Sequence, residues 1–212
     1  MALESLRFSG AKLRYPPSLK RKWGALGVRH DKDAQSAING RARKRIQMFN
    51  IVLVEPQIPQ NTGTIGRLCV NLGATLHLIK PLGFDIDDKA VKRAGLDYWQ
   101  HLDLVVWESF DEYLEAHPIK KNTYMGTTKT DNLYFNAPFK KGDHILFGSE
   151  TRGIDERVLL DNPEQCITIP MGGKGRSLNL GISVGVVLYD ALRQNYEGFK
   201  KITIENTLEG KA

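Results

Sequence analysis

The fold of this chain is decided by residues 49–69, which read FNIVLVEPQIPQNTGTIGRLC. An unbroken apolar run, Phe49–Val54, is followed by a polar loop with two prolines and then by apolar residues at helical spacing. Short apolar runs without polar alternation are typical of strands that are buried on both faces of a parallel sheet. The stretch therefore predicts a strand, a stiff loop and a helix, which together form the first unit of an α/β fold.

The same alternation continues along the chain. Apolar runs predict six short buried strands, at Phe49–Val54, Thr75–Ile79, Leu104–Trp107, Thr123–Gly126, Ile145–Phe147 and Cys166–Ile169. Helical patterns are found at 62–72, 87–94, 109–116, 155–161 and 180–195. We expect a mostly parallel open sheet with helices on both faces.

Composition and charge divide the chain into a domain and a basic leader. With 212 residues, 41% hydrophobic, the chain is long enough for one well-buried domain. Residues 1–47 hold 12 Lys or Arg and three acids, a balance of +9 that leaves −3 for the remainder of a total of +6. We expect a flexible basic extension at 1–47, a catalytic domain at 48–199 and a tail at 200–212.

Two interpretations of the leader remain open. Its clusters Lys20–Lys22 and Arg41–Arg45 suit contact with the phosphates of RNA, which would make binding dependent on salt. Alternatively, the leader is a solvated extension, or it precedes the true start of translation, for which Met48 is a plausible position.

Cysteine and histidine usage points to a reducing compartment and to chemistry without a metal. Cys69 and Cys166 lie 97 positions apart, with no CxxC pair, so neither a disulfide framework nor a zinc site is indicated. The five histidines show no ligand spacing. There is no apolar run long enough to span a membrane and no secretory signal, so we expect a cytoplasmic protein. An organellar transit peptide is the alternative, against which Asp31 and Asp33 count.

The first segment with candidate functional residues is Glu55–Cys69, which follows the first strand. Asn61 or Thr62 can cap the predicted helix, whose unpaired amides and dipole would suit a phosphate. Arg67 falls about one turn into the helix, close enough to share that phosphate or a ribose hydroxyl. Equally, Arg67 could be a surface arginine paired with an acid.

Two further segments contain glycine-rich turns. In Leu146–Ile154, Glu150 and Arg152 could bind a ligand or pair with charges of the turn. In Ile169–Leu180, a glycine-rich loop opens into a helix, but it matches neither the Walker loop nor GxGxxG, which excludes P-loop nucleotidases and Rossmann dehydrogenases. Ser177 and Asn179 could cap this helix or orient a ligand.

Taken together, Glu55–Cys69, Phe147–Ile154 and Ile169–Gln194 resemble the three signature motifs of the SPOUT superfamily of RNA methyltransferases. Their order and spacing are those of the small 2'-O-methyltransferases that act on the wobble nucleotide of tRNA. Three intervening segments are also similar to that subfamily, namely Leu78–Phe84, Arg93–Tyr98 and Thr127–Lys129. The resemblance covers about residues 48–197 and does not include the leader.

The resemblance implies a fold, a reaction and an assembly. The sheet would carry a C-terminal trefoil knot, here at about Phe147 to Gln194, an exception to the rarity of knots. The enzyme would move a methyl group from S-adenosylmethionine to the wobble ribose 2'-hydroxyl, with leucine tRNAs as substrates, the anticodon stem-loop as partner and S-adenosylhomocysteine as product. It would be a homodimer joined through its first and last helices, in which the first motif of one subunit completes the cofactor site of the other.

The resemblance also implies roles for single residues. The methyl donor would lie against Gly126, Thr127, Gly148, Gly153, Ile169, Met171, Ser177 and Leu178. Arg67 corresponds to an arginine assigned as the base in the wider family. A guanidinium is a reluctant base, so orienting and polarising the hydroxyl is the role that suits it better. Asn61 would position the nucleotide, and Ser177 and Asn179 would brace donor and ribose.

Two alternatives remain open, and the first rests on a departure from the subfamily pattern. The chain has Asn179-Leu180-Gly181-Ile182 where the subfamily has Asn-Leu-Ser-Asn, so a hydroxyl and an amide are missing. The departure bears on substrate choice, and it is compatible with a SPOUT-like module that binds RNA without turnover. The second alternative is a ribosomal-RNA 2'-O-methyltransferase of the same superfamily, which the basic leader favours.

Overall fold

A computed structural model of the chain describes residues 48–86 and 99–199, together with three short strands in the leader. The leader strands are β1 (Leu6–Phe8), β2 (Ala11–Leu13) and β3 (Val28–Arg29). The remaining strands are β4 (Asn50–Val54), β5 (Thr75–Ile79), β6 (Asp103–Trp107), β7 (Thr123–Gly126), β8 (His144–Phe147) and β9 (Cys166–Ile167). The α-helices are α1 (Pro59–Leu72), α2 (Phe110–Ala116), α3 (Glu156–Asp161), α4 (Leu180–Gln194) and α5 (Tyr196–Phe199).

The main sheet is parallel throughout and has the order β3-β6-β5-β4-β8-β7-β9. Strands β4 to β9 are the six predicted from the apolar runs, so the expectation of a mostly parallel sheet is confirmed. β4 lies at the centre, and all five of its residues are buried. A strand that is covered on both faces needs apolar residues at every position, which is why the run Phe49–Val54 shows no alternation.

Helices cover both faces of this sheet. On one face Ile51 and Leu53 of β4 join a core with Ile65 of α1 and Val184 of α4. On the other face Val52 joins a second core to which α2 and α3 contribute. Successive side chains of a strand point to opposite faces, so each of the strands β4 to β9 contributes to both cores.

The leader strands β1, β2 and β3, the last of which pairs with β6, and the short helix α5 were not predicted. The other predicted elements agree with the observed ones apart from three details. The helix predicted at 87–94 lies outside the described residues. β9 ends at Ile167 and not at Ile169, and the next residue, Thr168, forms an isolated parallel bridge with Leu133. α1 begins at Pro59, three residues earlier than predicted.

The early start of α1 corrects the prediction that Asn61 or Thr62 caps this helix. The residue at the cap position is Ile58, and no side chain caps the helix there. Pro59 occupies the first turn, where its fixed φ suits a helix and its missing N–H costs nothing. Asn61 is therefore inside the first turn, and its amide is available for other partners.

The described ranges bear differently on the proposed domain boundaries. The two cores lie within 48–192, and β3 of the leader pairs with β6 of the same sheet, so the division of the chain at residue 48 stays a prediction. Most of the leader and all of 200–212 lie outside the described residues, so the flexible arm and the tail stay predictions. Within the described part of the chain, no helix has the length and hydropathy that a membrane span requires.

A cluster of aromatic and imidazole rings is buried under α2. His77 of β5 accepts a hydrogen bond from Trp107 Nε1 at its Nδ1 (3.0 Å), and its Nε2 lies 3.2 Å from Asn50 Oδ1. The rings of His117 and His144 are each centred 5.9 Å from that of His77. Tyr113 Oη lies 2.6 Å from His144 Nδ1. Both nitrogens of His77 are thus engaged in the neutral form of the ring.

Burial keeps the imidazoles of His77 and His144 uncharged. Burial, followed by the charges of His144 and His117, lowers the pKa of His77 well below its ordinary value of 6.5. Burial, and then His117, lowers the pKa of His144 to about 4. In the unfolded chain both rings would take up protons near pH 6.5, so the folded state is favoured above that pH and loses stability as the pH falls towards 4.

This cluster predicts a loss of stability in mild acid. For His144 the loss at pH 4 is roughly 3 kcal/mol, at about 1.4 kcal/mol per pKa unit. Urea unfolding of the wild type and of His144→Asn, from pH 7.5 to pH 4, measures it. The variant should lose less unfolding free energy over this range. Equal losses in the two proteins would show that His144 does not oppose protonation in the folded state.

Candidate active site

The three segments singled out from the sequence meet at the carboxyl edge of the sheet. The first follows β4, the second follows β8 and the third follows β9. Carboxyl ends of parallel strands lie at the same edge, and β4 and β8 are neighbours. A cleft of about 470 Å³ opens here. The topology therefore gathers into one site residues that are more than 100 positions apart in sequence.

The cleft is lined by most of the predicted site residues. It includes the eight expected to contact the methyl donor: Gly126, Thr127, Gly148, Gly153, Ile169, Met171, Ser177 and Leu178. Asn61 and Asn179 also line it, whereas Arg67 does not. The structure thus brings together all the predicted site residues except one, while their individual roles stay predictions.

Close backbone approach explains two glycines in the cleft. A Cβ on Gly148 would lie 1.9 Å from the carbonyl carbon of Gly153, because the turn between them folds back on itself. Gly153 has a φ of +72°, in the left-handed region that favours glycine, and its N–H donates to Ser149 O (2.9 Å). A Cβ on Gly126 would meet the Phe147 ring at 2.7 Å. Larger residues would push this wall into the cleft.

A chain of hydrogen bonds joins the three segments. Asn61 Nδ2 donates to Glu150 Oε1 (2.8 Å), and Asn179 Nδ2 donates to Asn61 Oδ1 (2.9 Å). The Asn179 side chain also caps α4, since its Oδ1 accepts from the N–H groups of Gly181 (2.9 Å) and Ile182 (3.3 Å). Asn61 is only 7% exposed, so both ends of its amide need these partners. The expectation that Asn179 caps the last long helix is confirmed.

Glu150 binds the start of the first segment. Its carboxylate accepts from the backbone N–H of Gln57 (2.8 Å) and Ile58 (3.3 Å), in addition to Asn61. These two amides precede α1 and are occupied by a carboxylate of the protein, whereas phosphate binding by the amides of the helix start stays a prediction. The positive end of the α1 dipole further stabilises that carboxylate. The sequence did not indicate the partner of Glu150, because only the pairing of β4 with β8 brings Glu150 beside the first segment.

The backbone conformation of Glu55 directs the N–H groups of Gln57 and Ile58 towards Glu150. Glu55 has a φ of +51° directly after β4, an uncommon conformation for a residue with a side chain. Its carbonyl accepts from Gln57 Nε2 (2.6 Å), which closes a tight turn before α1. Arg152 lies 3.6 Å from the Glu55 carboxylate, but its side chain is 78% exposed, so this ion pair contributes little to stability.

Arg67 points away from the cleft of its own chain. Four residues of α1 form an exposed stripe at helical spacing, namely Gln60, Thr64, Arg67 and Asn71. Asn61 and Arg67 are six residues apart, which turns their side chains about 120° from each other around the helix axis. Of these two residues, only Asn61 lines the cleft beside α1.

The rim of the cleft is apolar and open. Four large apolar side chains near it are exposed: Ile58 (42%), Met171 (37%), Leu178 (39%) and Ile182 (56%). The departure from the subfamily pattern lies at the same place. A Cβ on Gly181 would lie 3.3 Å from Asn179 Oδ1 and 3.6 Å from Thr64, so a larger residue there would need a small adjustment. In the described ranges, no group of three or more acids, histidines or cysteines could hold a metal ion.

Comparisons with known proteins agree with this arrangement. A model of the SpoU rRNA Methylase family matches residues 48–189. A relative from Burkholderia pseudomallei, named tRNA (cytidine(34)-2'-O)-methyltransferase, is 45% identical over 155 residues, which are 71% of this chain and 99% of the relative.

Two solved structures have the same architecture. One, described as "Structural insights into the 2-OH methylation of C/U34 on tRNA", is 44% identical with a TM-score of 0.67, over 71% of this chain and 98% of its own. The SpoU methyltransferase AviRb from Streptomyces viridochromogenes, solved in complex with the cofactor AdoMet, is 27% identical with a TM-score of 0.61, over 74% of this chain and 63% of its own.

The hydrogen bond between Asn61 and Asn179 should be measurable as a coupling energy. In a double-mutant cycle of Asn61→Ala and Asn179→Ala, we expect a coupling of about 1–2 kcal/mol in the free energy of unfolding, because the two amides satisfy each other in a buried place. A second double-mutant cycle, of Asn71→Ala and Asn179→Ala, is the control, because Asn71 is an exposed asparagine of the same helix. Equal couplings in both cycles would contradict the proposed connection between the segments.

Proposed function

The chain belongs to the SpoU rRNA methylase family, and from this premise we propose that it methylates the ribose 2'-hydroxyl of the wobble nucleotide of tRNA, with leucine tRNAs as substrates. The observation that carries this proposal is the single cleft lined by all eight residues expected to contact S-adenosylmethionine. The relatives named for 2'-O-methylation of tRNA position 34, which this chain matches over nearly their whole length, support the choice of substrate.

The cleft fits the chemistry of the proposed methyl donor. Ile169, Met171 and Leu178 offer apolar contact for an adenine ring. Gly126, Gly148 and Gly153 line the cleft, so the wall of the cleft at these positions is formed by backbone groups. When bound, S-adenosylmethionine supplies a methyl group on a positively charged sulfur, and its transfer leaves S-adenosylhomocysteine and a proton from the 2'-hydroxyl.

The residues of the chain then have to orient the ribose oxygen and assist the loss of its proton. Asn61 is held at the cleft by Glu150 and Asn179, so its position is fixed before RNA arrives. We assign it the positioning of the nucleotide, with Ser177 and Asn179 bracing donor and ribose. We assign Arg67 the orientation and polarisation of the hydroxyl, for which the planar guanidinium offers several donors.

A homodimer supplies Arg67 to the partner's cleft in this proposal. The exposed stripe of α1 that contains Arg67 borders α4, since Thr64 lies beside Gly181. On α4 two large side chains, Ile182 (56%) and Tyr189 (50%), are exposed. Pairing of these helices with those of a second copy would cover the apolar groups and direct Arg67 away from its own chain.

The trefoil knot at Phe147 to Gln194 is also part of the proposal. The segment after β9 has hydrogen bonds on both sides: Ile167 O accepts from Thr127 N (2.9 Å), and Thr168 N donates to Asn132 O (2.8 Å). The two ends of the loop 127–132 therefore lie on opposite sides of this segment. This arrangement supports passage of the segment after β9 through the loop 127–132. A knot forms when one part of the chain passes through a loop in this way.

The cytoplasm is the compartment we propose, on the ground of the cysteine pattern; both cysteines are free and buried. The alternative of a ribosomal-RNA substrate rests on the basic leader, which contains 12 Lys or Arg. The alternative of a module that binds RNA without turnover rests on Gly181 and Ile182. Both alternatives predict no methyl transfer to tRNA, so one assay separates them from the proposed function.

A tRNA with a single 2'-deoxy wobble nucleotide tests the reaction. Labelled methyl should pass from S-adenosylmethionine to the unmodified transcript and not to the deoxy transcript, because the accepting oxygen is missing. The two transcripts should compete equally for binding, which is the control for recognition. Methylation of the deoxy transcript would refute transfer to the 2'-oxygen.

Mixed dimers test the origin of Arg67. Arg67→Ala should lower kcat by about 10²-fold or more while donor binding is kept. Leu178→Arg changes an exposed wall of the cleft and should abolish donor binding. If Arg67 serves the partner's cleft, co-expressed heterodimers of these two inactive variants regain one complete site. Heterodimers as inactive as either parent would place Arg67 in the cleft of its own chain, and a fully active Arg67→Ala homodimer would place it outside the mechanism.

A further inference from the structure

Tyr134 is a residue of the cleft that the sequence did not indicate. It begins a short 3-10 helix, Tyr134–Asn136, in the connection between β7 and β8. Its half-buried side chain lines the cleft and packs against the core on the α1 and α4 face of the sheet. Phe147, the other aromatic residue that lines the cleft in the described part of the chain, is only 4% exposed. Tyr134 therefore offers the more accessible aromatic ring to a ligand.

Backbone hydrogen bonds fix Tyr134 beside the third segment. Tyr134 N donates to Thr168 O (2.9 Å), and Thr168 N donates to Asn132 O (2.8 Å). Leu133 and Thr168 are partners in the isolated parallel bridge, so their side chains point to the same face. The next residue of each segment, Tyr134 or Ile169, points to the opposite face, and both of these residues line the cleft. The ring of Tyr134 is therefore placed next to Ile169.

The end of α4 holds the other side of the same connection. Gln194 Nε2 donates to Ala137 O (3.0 Å), and Gln194 Oε1 accepts from Phe139 N (3.1 Å). Asn195 Nδ2 donates to Phe139 O (2.9 Å). The segment that carries Tyr134 is thus held by β9 on one side and by α4 on the other, so ligand binding has little to order there.

The hydroxyl of Tyr134 differs from those of the two buried tyrosines. Tyr113 Oη lies 2.6 Å from His144 Nδ1, and Tyr124 Oη donates to Pro138 O (3.3 Å). Among the described residues, none forms a hydrogen bond with Tyr134 Oη, and this oxygen is accessible to solvent. A tyrosine whose ring packs against the core and whose polar end is open can present both a ring face and a hydroxyl to a ligand.

We propose that the ring of Tyr134 contacts the adenine of S-adenosylmethionine and so makes Tyr134 a further binding residue of the donor site. The proposal rests on the proposed function for its ligand. Ile169, next to Tyr134, is one of the residues expected to contact that base. An RNA nucleotide, which stays attached to its backbone, would meet the exposed rim at Met171 and Leu178 before it reached a ring that packs on the core. The position of Tyr134 therefore favours the donor over the RNA.

Calorimetric titration with S-adenosylhomocysteine, without RNA, tests the contact in the full chain. Tyr134→Leu keeps an apolar side chain and removes the ring, so the dissociation constant should rise by about five- to tenfold. Tyr134→Phe keeps the ring and should bind within about threefold of the wild type. Phe135→Leu is the matched control, because Phe135 is 45% exposed and does not line the cleft. Its affinity should equal that of the wild type.

Nuclear magnetic resonance tests the contact without relying on the stability of Tyr134→Leu. In the wild type with isotope-labelled tyrosines, the base protons of bound S-adenosylhomocysteine should show a nuclear Overhauser effect to the ring protons of Tyr134. The signal is assigned by its loss in Tyr134→Phe, which carries no labelled tyrosine at this position. A role of Tyr134 in packing alone would produce no such effect.

The outcomes separate this inference from the proposed function. A wild type that methylates tRNA, with donor affinity unchanged in Tyr134→Leu or with no Overhauser effect, would overturn the contact and leave the proposed function standing. A raised KM for tRNA in Tyr134→Leu, at unchanged donor affinity, would assign the ring to RNA instead. Equal losses of donor affinity in Tyr134→Leu and Tyr134→Phe would assign binding to the hydroxyl and overturn the ring contact. A wild type that does not bind S-adenosylhomocysteine would overturn both proposals.

Discussion

The side chain of Asn61 is the constraint on which the rest of the site depends. Its amide is buried, and its two ends are satisfied by Glu150, 89 positions away in sequence, and by Asn179, 118 positions away. An unsatisfied buried amide costs about 1–3 kcal/mol, so all three segments have to be in place together. Because Asn179 also caps α4 and Glu150 also holds the amides before α1, the same bonds fix the starts of both long helices.

The parallel sheet is what makes that meeting possible. β4 and β8 are adjacent, so the loops that follow them leave the same edge and carry Asn61 and Glu150 towards each other. The packing of α1 against α4 over one face brings Asn179 to the same point. One topology thus gathers the three segments at one edge of the sheet.

Much of this architecture could be predicted from the sequence, and the failures have a common cause. Strands that are buried on both faces need unbroken apolar runs, so all six were predicted within two residues at either end. Glycines that permit close approach, such as Gly148, pointed to the cleft directly. The partner of Glu150, the direction of Arg67 and the buried cluster around His77 could not be predicted, because each depends on contacts between distant segments. The cap predicted at Asn61 was wrong because Pro59 starts α1 earlier.

Each of the family's motifs thus has a structural role in this chain. Hydrogen bonds of Asn61 join the three segments, and glycines line the cleft. Arg67 lies on an exposed stripe of α1, outside the lining of its own cleft. The most direct test is transfer of labelled methyl from S-adenosylmethionine to total small RNA from cells that lack this gene, followed by nuclease mapping of the labelled nucleotide. We predict label on the 2'-oxygen of the wobble nucleotide of leucine tRNAs. Donor binding without label in any small RNA, or label at another position, would contradict the proposed function.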